Sequence, residues 1–364
     1  MAVAGNIEAY TILYTIGVAA GTILTGMAPG MPHGMLGALL LLLLGLPFVL
    51  REKVVRLREK QALILLFPCF FLLGVFCSLT ASFETIRGGG LIADFALRAV
   101  ERLRAHIDAQ AFPSGGTAPL LKAFLTGDRS GLSAETVAVF RGSGASHLLA
   151  LSGLHIGIIY LLFDKLTWLM GRSPLARALR YGVIVLLAGF FTLMTGASPS
   201  IVRAFLFIFI SETLRLAGRE RKASRVLCLA LFIQLVLSPE SIRSVGFQLS
   251  YLAMAGIFLI YPVMEKWYPE GLKYDPLRWI WKSAALTISC QAFTAPLAWY
   301  RFHTFPRHFL LTNLLALPLS SMLMASAILT LVWSALFPCP EFLLRATDFL
   351  STTLIQALEI ISGM

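Results

Sequence analysis

Four polar side chains set into a greasy stretch have the types and spacing to do chemistry. Between Gly142 and Gly157 the chain carries Ser146, His147, Ser152 and His155, interleaved with leucines and with glycines at 144, 153 and 157. The apolar run continues through Phe163, long enough to cross a bilayer. Unpaired polar groups are costly in hydrocarbon, so these four are expected to face protein or water rather than lipid. Ser152 and His155 stand three positions apart, neighbours on one helical face. One chemistry this allows is a Ser/His nucleophilic pair, an intramembrane hydrolase. Such a pair needs a base oriented by a third group, which neighbours on one helix rarely achieve. No Gly-x-Ser-x-Gly elbow occurs. A second reading is structural, with Ser and His bonding to neighbouring helices. The third, carried forward here, is a polar lining for an internal aqueous route in a protein that is not an enzyme.

Other polar groups fall inside apolar stretches and join that lining: Arg203, Gln248, Ser250, Gln291 and Asn313. Arg203 reads either as a side chain snorkelling to the outer interface or as a cation facing a passing anion. Gly153 and Gly157 are expected to let another helix approach closely, and Ser152-Gly153 is where the helix could open. Gly196-Ala-Ser-Pro199-Ser200 reads as a hinge, and Pro318 as a break in the long stretch Phe309–Phe337. His303 and His308, near Arg301 and Arg307, look like an interfacial cluster. No HExxH, His/Asp cluster or Walker A sequence occurs, so neither a metal, a cofactor nor ATP-driven work is expected of these residues. The five cysteines have no ligand spacing and read as small apolar packing residues.

The elements that must position these groups follow from composition. The chain is 57% hydrophobic and only 13% charged, against roughly 25% charge in a soluble domain. Its apolar runs are continuous, which excludes a β-barrel. The fold class is therefore all-α, a polytopic protein of the lipid bilayer. About ten or eleven transmembrane helices are expected, some broken or re-entrant, with amphipathic helices at the outer surface. Spans are read at Ile7–Ala28, Gly34–Leu50, Gln61–Thr80, the stretch above, Tyr181–Thr195, Ile201–Leu216, Val226–Leu237, Val245–Met264, Ser283–Tyr300, Phe309–Phe337 and Arg345–Ile361. The first lacks a basic flank and is read as a true span, not a cleaved signal. If odd spans run outward, four basic loops near 51–60, 164–180, 215–225 and 266–282 all fall in the cytoplasm. That places the N-terminus inside and accounts for the net charge of +11. Residues 81–141 differ in kind. Leu91–Phe112 is amphipathic, Pro119–Leu125 is a short helix, and Ser133 is a candidate N-cap for another. Three parts result: 1–80, a three-helix membrane segment; 81–141, interfacial helices on the outer face; and 142–364, a channel-like core.

Five stretches in order carry a resemblance. Gly127-Asp-Arg-Ser-Gly-Leu-Ser133, His147-Leu-Leu-Ala-Leu-Ser-Gly-Leu-His-Ile-Gly157, Thr195-Gly-Ala-Ser-Pro-Ser-Ile-Val-Arg-Ala204, Gly246-Phe-Gln-Leu-Ser250 and Asn313-Leu-Leu-Ala-Leu-Pro318 resemble the signature of the ComEC competence-protein family. The likeness spans roughly residues 118–335. It implies a bacterial inner-membrane channel that passes single-stranded DNA into the cytoplasm during natural transformation. In that setting Arg129 and Arg141 stand where DNA would first meet the protein. Family members often add an OB-like domain and a metallo-β-lactamase-like domain, neither of which is seen in this sequence. A separate DNA receptor outside and a cytoplasmic motor or helicase are therefore the implied partners. The alternatives kept beside it are a transporter or channel for another solute, and the Ser/His hydrolase.

Overall fold

The computed structural model describes residues 7–27, 91–168, 171, 173–268, 276–303 and 307–363. The spans expected at Gly34–Leu50 and Gln61–Thr80, with the basic loop between them, lie outside the described residues. Every element described is helical. In chain order these are α1 (Ile7–Met27), α2 (Leu91–Asp108), α3 (Thr117–Thr126), α4 (Ala134–Gly142), α5 (Ser146–Leu149), α6 (Gly153–Trp168), α7 (Pro174–Met194), α8 (Pro199–Leu216), α9 (Ala223–Leu237), α10 (Val245–Leu259), α11 (Tyr261–Glu265), α12 (Pro276–Phe302), α13 (Phe309–Leu336) and α14 (Glu341–Ser362). By length and composition, three stretches among the described residues can cross a membrane: Pro174–Met194, Val245–Glu265 and Phe309–Leu336. Shorter apolar helices add Thr11–Ile23 and Ala223–Leu237.

Two compact units result, one of residues 1–88 and 206–248, the other of 89–205 and 249–364. In the first, α1 packs on α9. Tyr14 is fully buried and meets Phe232 edge-on at 4.8 Å, and Arg243 donates to the Thr22 carbonyl near the end of α1.

The second unit is built on the α13–α14 hairpin. Leu323, Met324 and Ala327 of α13 and Leu354 and Leu358 of α14 form one core with Leu120, Leu121 and Phe124 of α3, Phe140 of α4 and Leu148 of α5. The hairpin is tied down at both ends. Thr312 donates to the Ser143 carbonyl at 2.6 Å near the start of α13. Near its finish, His106 Nε2 lies 2.9 Å from the Ser334 hydroxyl and 3.2 Å from the Leu331 carbonyl. Those tie points are roughly 30 Å apart along the helix. The chain between His106 and Ser143 therefore runs the length of the hairpin. Within this stretch α3 buries Leu120, Leu121, Ala123, Phe124 and Leu125.

Asp348 fixes that arrangement. Helix α3 has no side-chain cap of its own at Gly116. Instead Asp348 Oδ1, from α14, accepts from the Ser114 amide at 3.0 Å, from Thr117 Oγ1 at 2.6 Å and from Ser114 Oγ. A carboxylate beside a helix start complements its dipole, and here it also holds the turn that leads into α3. Beside it Thr347 meets Ser326 and Thr330 across the hairpin. Asp348→Ala is expected to lower stability by about 1.5 kcal/mol, read as a fall in melting temperature of the detergent-solubilised protein. An unchanged melting temperature would show that Ser114 and Thr117 satisfy one another.

Candidate functional site

The stretch read as one span from Gly142 to Phe163 is not one helix. α4 ends at Gly142, α5 is a single turn, Ala150 is extended, and α6 begins at Gly153. The opening expected at Ser152-Gly153 is where the new helix starts. Its start is a reciprocal cap. Ser152 Oγ accepts from the Leu154 amide at 3.3 Å, and the Ser152 amide donates to His155 Nδ1 at 3.1 Å. This is the capping-box arrangement with histidine in place of Glu or Gln at the third helical position. Because Nδ1 accepts an amide hydrogen, the ring proton sits on Nε2. Ser152 Oγ also lies 3.0 Å from Nδ1, the contact a Ser/His nucleophile would need. That lone pair is already taken, and among the described residues no carboxylate orients the ring. His155 is 2% exposed and packs edge-on against Phe124 at 5.7 Å.

From this cap contacts spread in both directions. Toward the N-terminus, Gly127 closes α3 in the left-handed conformation (φ 77°), and a Cβ there would meet Leu151 Cδ1 at 2.5 Å. Arg129 Nε donates to the Leu149 carbonyl at 2.9 Å, closing the end of α5. Ser133 caps α4, accepting from the Thr136 amide at 3.0 Å, as its position suggested. Toward the C-terminus, α7 ends with Gly196 (φ 73°) and Ala197 (φ 49°) in left-handed conformations, and Pro199 opens α8. This seats Arg203 one turn into α8. A Cβ on Gly153 would lie 2.9 Å from Arg203 Nη2 and 3.3 Å from Ala204 Cβ. Arg203 Nη1 donates to the Ser250 carbonyl of α10, and its guanidinium carbon is 5.9 Å from the Tyr251 ring centre. On the other flank, Thr312, beside Asn313, holds Ser143.

Of the residues picked out from sequence, Ser152, Gly153, His155, Arg203 and Ser250 thus converge. Ser146 Oγ donates back to the Phe140 carbonyl of α4, and His147 Nδ1 lies 3.2 Å from the Gly144 carbonyl. Gln248 donates to the Ile242 carbonyl and closes the turn before its own helix. Gln291 and Asn313 are half-buried, on α12 and α13, and Arg141 is exposed on the last turn of α4. Arg129 is exposed, yet its Nε is engaged by Leu149. Two expectations are corrected. Among the described residues a Cβ at Gly157 would meet nothing within 4 Å, so of the two glycines it is Gly153 that permits a close approach. α13 runs unbroken through Pro318, and the Ser320 and Ser321 hydroxyls just beyond it donate to the Leu317 carbonyl. Sequence reasoning passed over Asp348, although a carboxylate beside Thr347 and Ser351 in a largely apolar helix was a visible signal.

An all-helical membrane protein whose helix breaks meet along one polar seam is the class these features define. The chain belongs to the Competence protein family, which matches residues 124–364. It is 27% identical over 221 residues to ComE operon protein 3 of Bacillus subtilis, covering 59% of this chain and 26% of that protein. It is 26% identical over 215 residues to the uncharacterized protein YcaI of Escherichia coli, covering 56% of this chain and 27% of that one. With Recombination protein 2 of Haemophilus influenzae the identity is 24% over 266 residues, 69% of this chain and 32% of that protein. The chain thus matches about a quarter to a third of the length of these relatives. No solved structure matches it.

Proposed function

We propose that this chain is the membrane core of a DNA-uptake system, conducting a single DNA strand across the bacterial inner membrane into the cytoplasm during natural transformation. The observation that carries the reading is the seam. Stretches 127–133, 147–157 and 195–204 and the Ser250 end of 246–250 are linked one to the next by contacts at helix ends, and Thr312 brings the last stretch alongside. Discontinuous helices supply polar backbone ends where a continuous helix would present none, which is how membrane proteins build sites for charged solutes. A single strand is a polyanion, so its route needs hydrated, polar or cationic walls. Arg203 supplies a cation on the seam. Ser152 and His155 hold the adjoining break in shape and perform no hydrolysis. No Walker A sequence occurs, so in this proposal a cytoplasmic motor pulls the strand and a separate receptor delivers it from outside. The N-terminus faces the cytoplasm.

A deletion strain is expected to bind labelled DNA at its surface while nuclease-protected, internalised DNA falls to background, with plasmid-borne wild type restoring it. Undiminished internalised DNA in the deletion strain would refute the uptake role.

A further inference from the structure

We infer that the Ser143 end of the α13–α14 hairpin carries a binding surface for single-stranded nucleic acid, in which Arg141, Arg301 and Arg307 are interleaved with the exposed rings Trp299, Tyr300 and Phe302. The inference rests on the DNA-uptake reading only for the side of the membrane on which this end lies.

Contacts bring the three cations to one place. Thr312, bonded to the Ser143 carbonyl, sits one turn beyond His308, and Arg307 precedes His308. Arg141 lies two residues before Ser143, on the last turn of α4. Arg301 is on the last turn of α12, and the six residues from it to Arg307 span at most about 20 Å. Cations at other helix ends are paired: Arg180 with Asp164, Lys282 with Glu265 and Arg345 with Glu341. Among the described residues Arg141, Arg301 and Arg307 have no such partner. No Asp or Glu stands between Asp275 and Glu341. Ser362, which packs at Gly142, brings Glu359 of α14 to this end, exposed and in no ion pair with the arginines. The surface therefore keeps a net positive charge. Its rings are equally open: Trp299 is 57% exposed, Tyr300 72% and Phe302 55%, with the Arg301 guanidinium carbon 5.9 Å from the Tyr300 ring centre. Rings alone would make an ordinary interfacial belt. Arginines are what an outward-facing connection normally lacks, and with the N-terminus in the cytoplasm this end faces outward. Cations beside open rings match a single strand on both counts, neutralising phosphates and stacking unpaired bases without reading their sequence.

The test uses the full chain in nanodiscs of zwitterionic phosphatidylcholine, with a fluorescent single-stranded oligothymidylate as probe. Combining Arg141→Gln, Arg301→Gln and Arg307→Gln should weaken binding at least about tenfold and lower the slope of log affinity against log salt by about 2, three contacts fewer. Trp299→Ala with Tyr300→Ala should also weaken binding about tenfold but leave the slope unchanged, and phenylalanine at both positions should restore most of it. Arg219→Gln with Arg221→Gln, exposed in the connection between α8 and α9, is the control and should bind like wild type. The inference is overturned if the triple variant, with wild-type melting temperature, binds oligothymidylate like wild type, or if the control loses as much per charge. It is overturned equally if oligothymidylate binding is unchanged while the triple variant alone fails to retain added phosphatidylglycerol through purification, since the surface is then a lipid belt. Should the triple variant fail to fold, an unchanged salt slope in Arg301→Gln overturns it instead. Binding is measured on purified protein, so a deletion strain that still internalises DNA would refute the uptake role and leave this result standing.

Discussion

Gly256→Ala should destabilise the protein by about 3 kcal/mol, although alanine is the better helix former. Gly256 lies within α10, where alanine in place of glycine ordinarily gains about 1 kcal/mol. At this position the added Cβ would sit 2.1 Å from the Ser289 carbonyl oxygen and 3.0 Å from its carbon, both on the backbone of α12. A side chain could rotate away; a helical carbonyl cannot, so α10 and α12 would have to part by roughly 1 Å to restore an ordinary contact. Separation forfeits the packing of Gly256 on Ser289 and Phe293, and the clash outweighs the propensity. Gly256 is also six residues beyond Ser250, so the displacement would reach the Arg203 anchor. Gly157→Ala is the matched control. It too is helical, but among the described residues its Cβ would meet nothing within 4 Å, so the propensity term acts and the change should be neutral or mildly stabilising. Thermal unfolding of both variants in one detergent measures the contrast. Equal melting temperatures would show that α10 and α12 do not pack this closely.

What the sequence made legible were the features encoded within a few residues. The apolar run of α1, the amphipathic face of α2 with Ala96 and Ile107 buried, the short α3 and the Ser133 cap all depend on local spacing. The Ser152-Gly153 opening was legible for the same reason. Features that depend on a distant partner were not. Hydropathy has no phase, so the run through residue 163 gave no sign that residues 143–152 leave the helix. That departure is stabilised by Arg129 at Leu149 and by Thr312 at Ser143. Pro318 looked like a break because a proline leaves the carbonyl four residues back, that of Leu314, without its helical donor; packing of the surrounding turns into the core carries α13 through it. Asp348 acts from more than two hundred residues away in sequence. The same limit explains the candidate site. Residue type identified Arg203 and His155, whereas the groups that hold them, Ser250 and Ser152, defined their roles only once the helices were packed.

The roles open to His155 make opposite demands on its replacement. As one half of the reciprocal cap, His155 contributes an acceptor for the Ser152 amide and an aromatic edge against Phe124. Leucine fills similar volume but accepts nothing, leaving a part-buried amide unsatisfied at the start of α6. His155→Leu should therefore cost about 3 kcal/mol from the orphaned donor and the lost ring contact together, and internalised DNA should fall with it. Glutamine carries a carbonyl oxygen at the reach that capping boxes use. His155→Gln should keep the amide bonded, lose no more than about 1 kcal/mol from the ring contact, and preserve most DNA uptake. A nucleophilic mechanism predicts otherwise, because an amide cannot take the Ser152 proton and both variants would be equally dead. The pair also separates stability from transport. If His155→Gln melts like wild type yet internalises no DNA, the imidazole acts on the passing strand or on a proton, and the capping role is not what the residue is there for. If uptake instead follows melting temperature across both variants, His155 works by holding α6 at the angle that presents its first turn to Arg203.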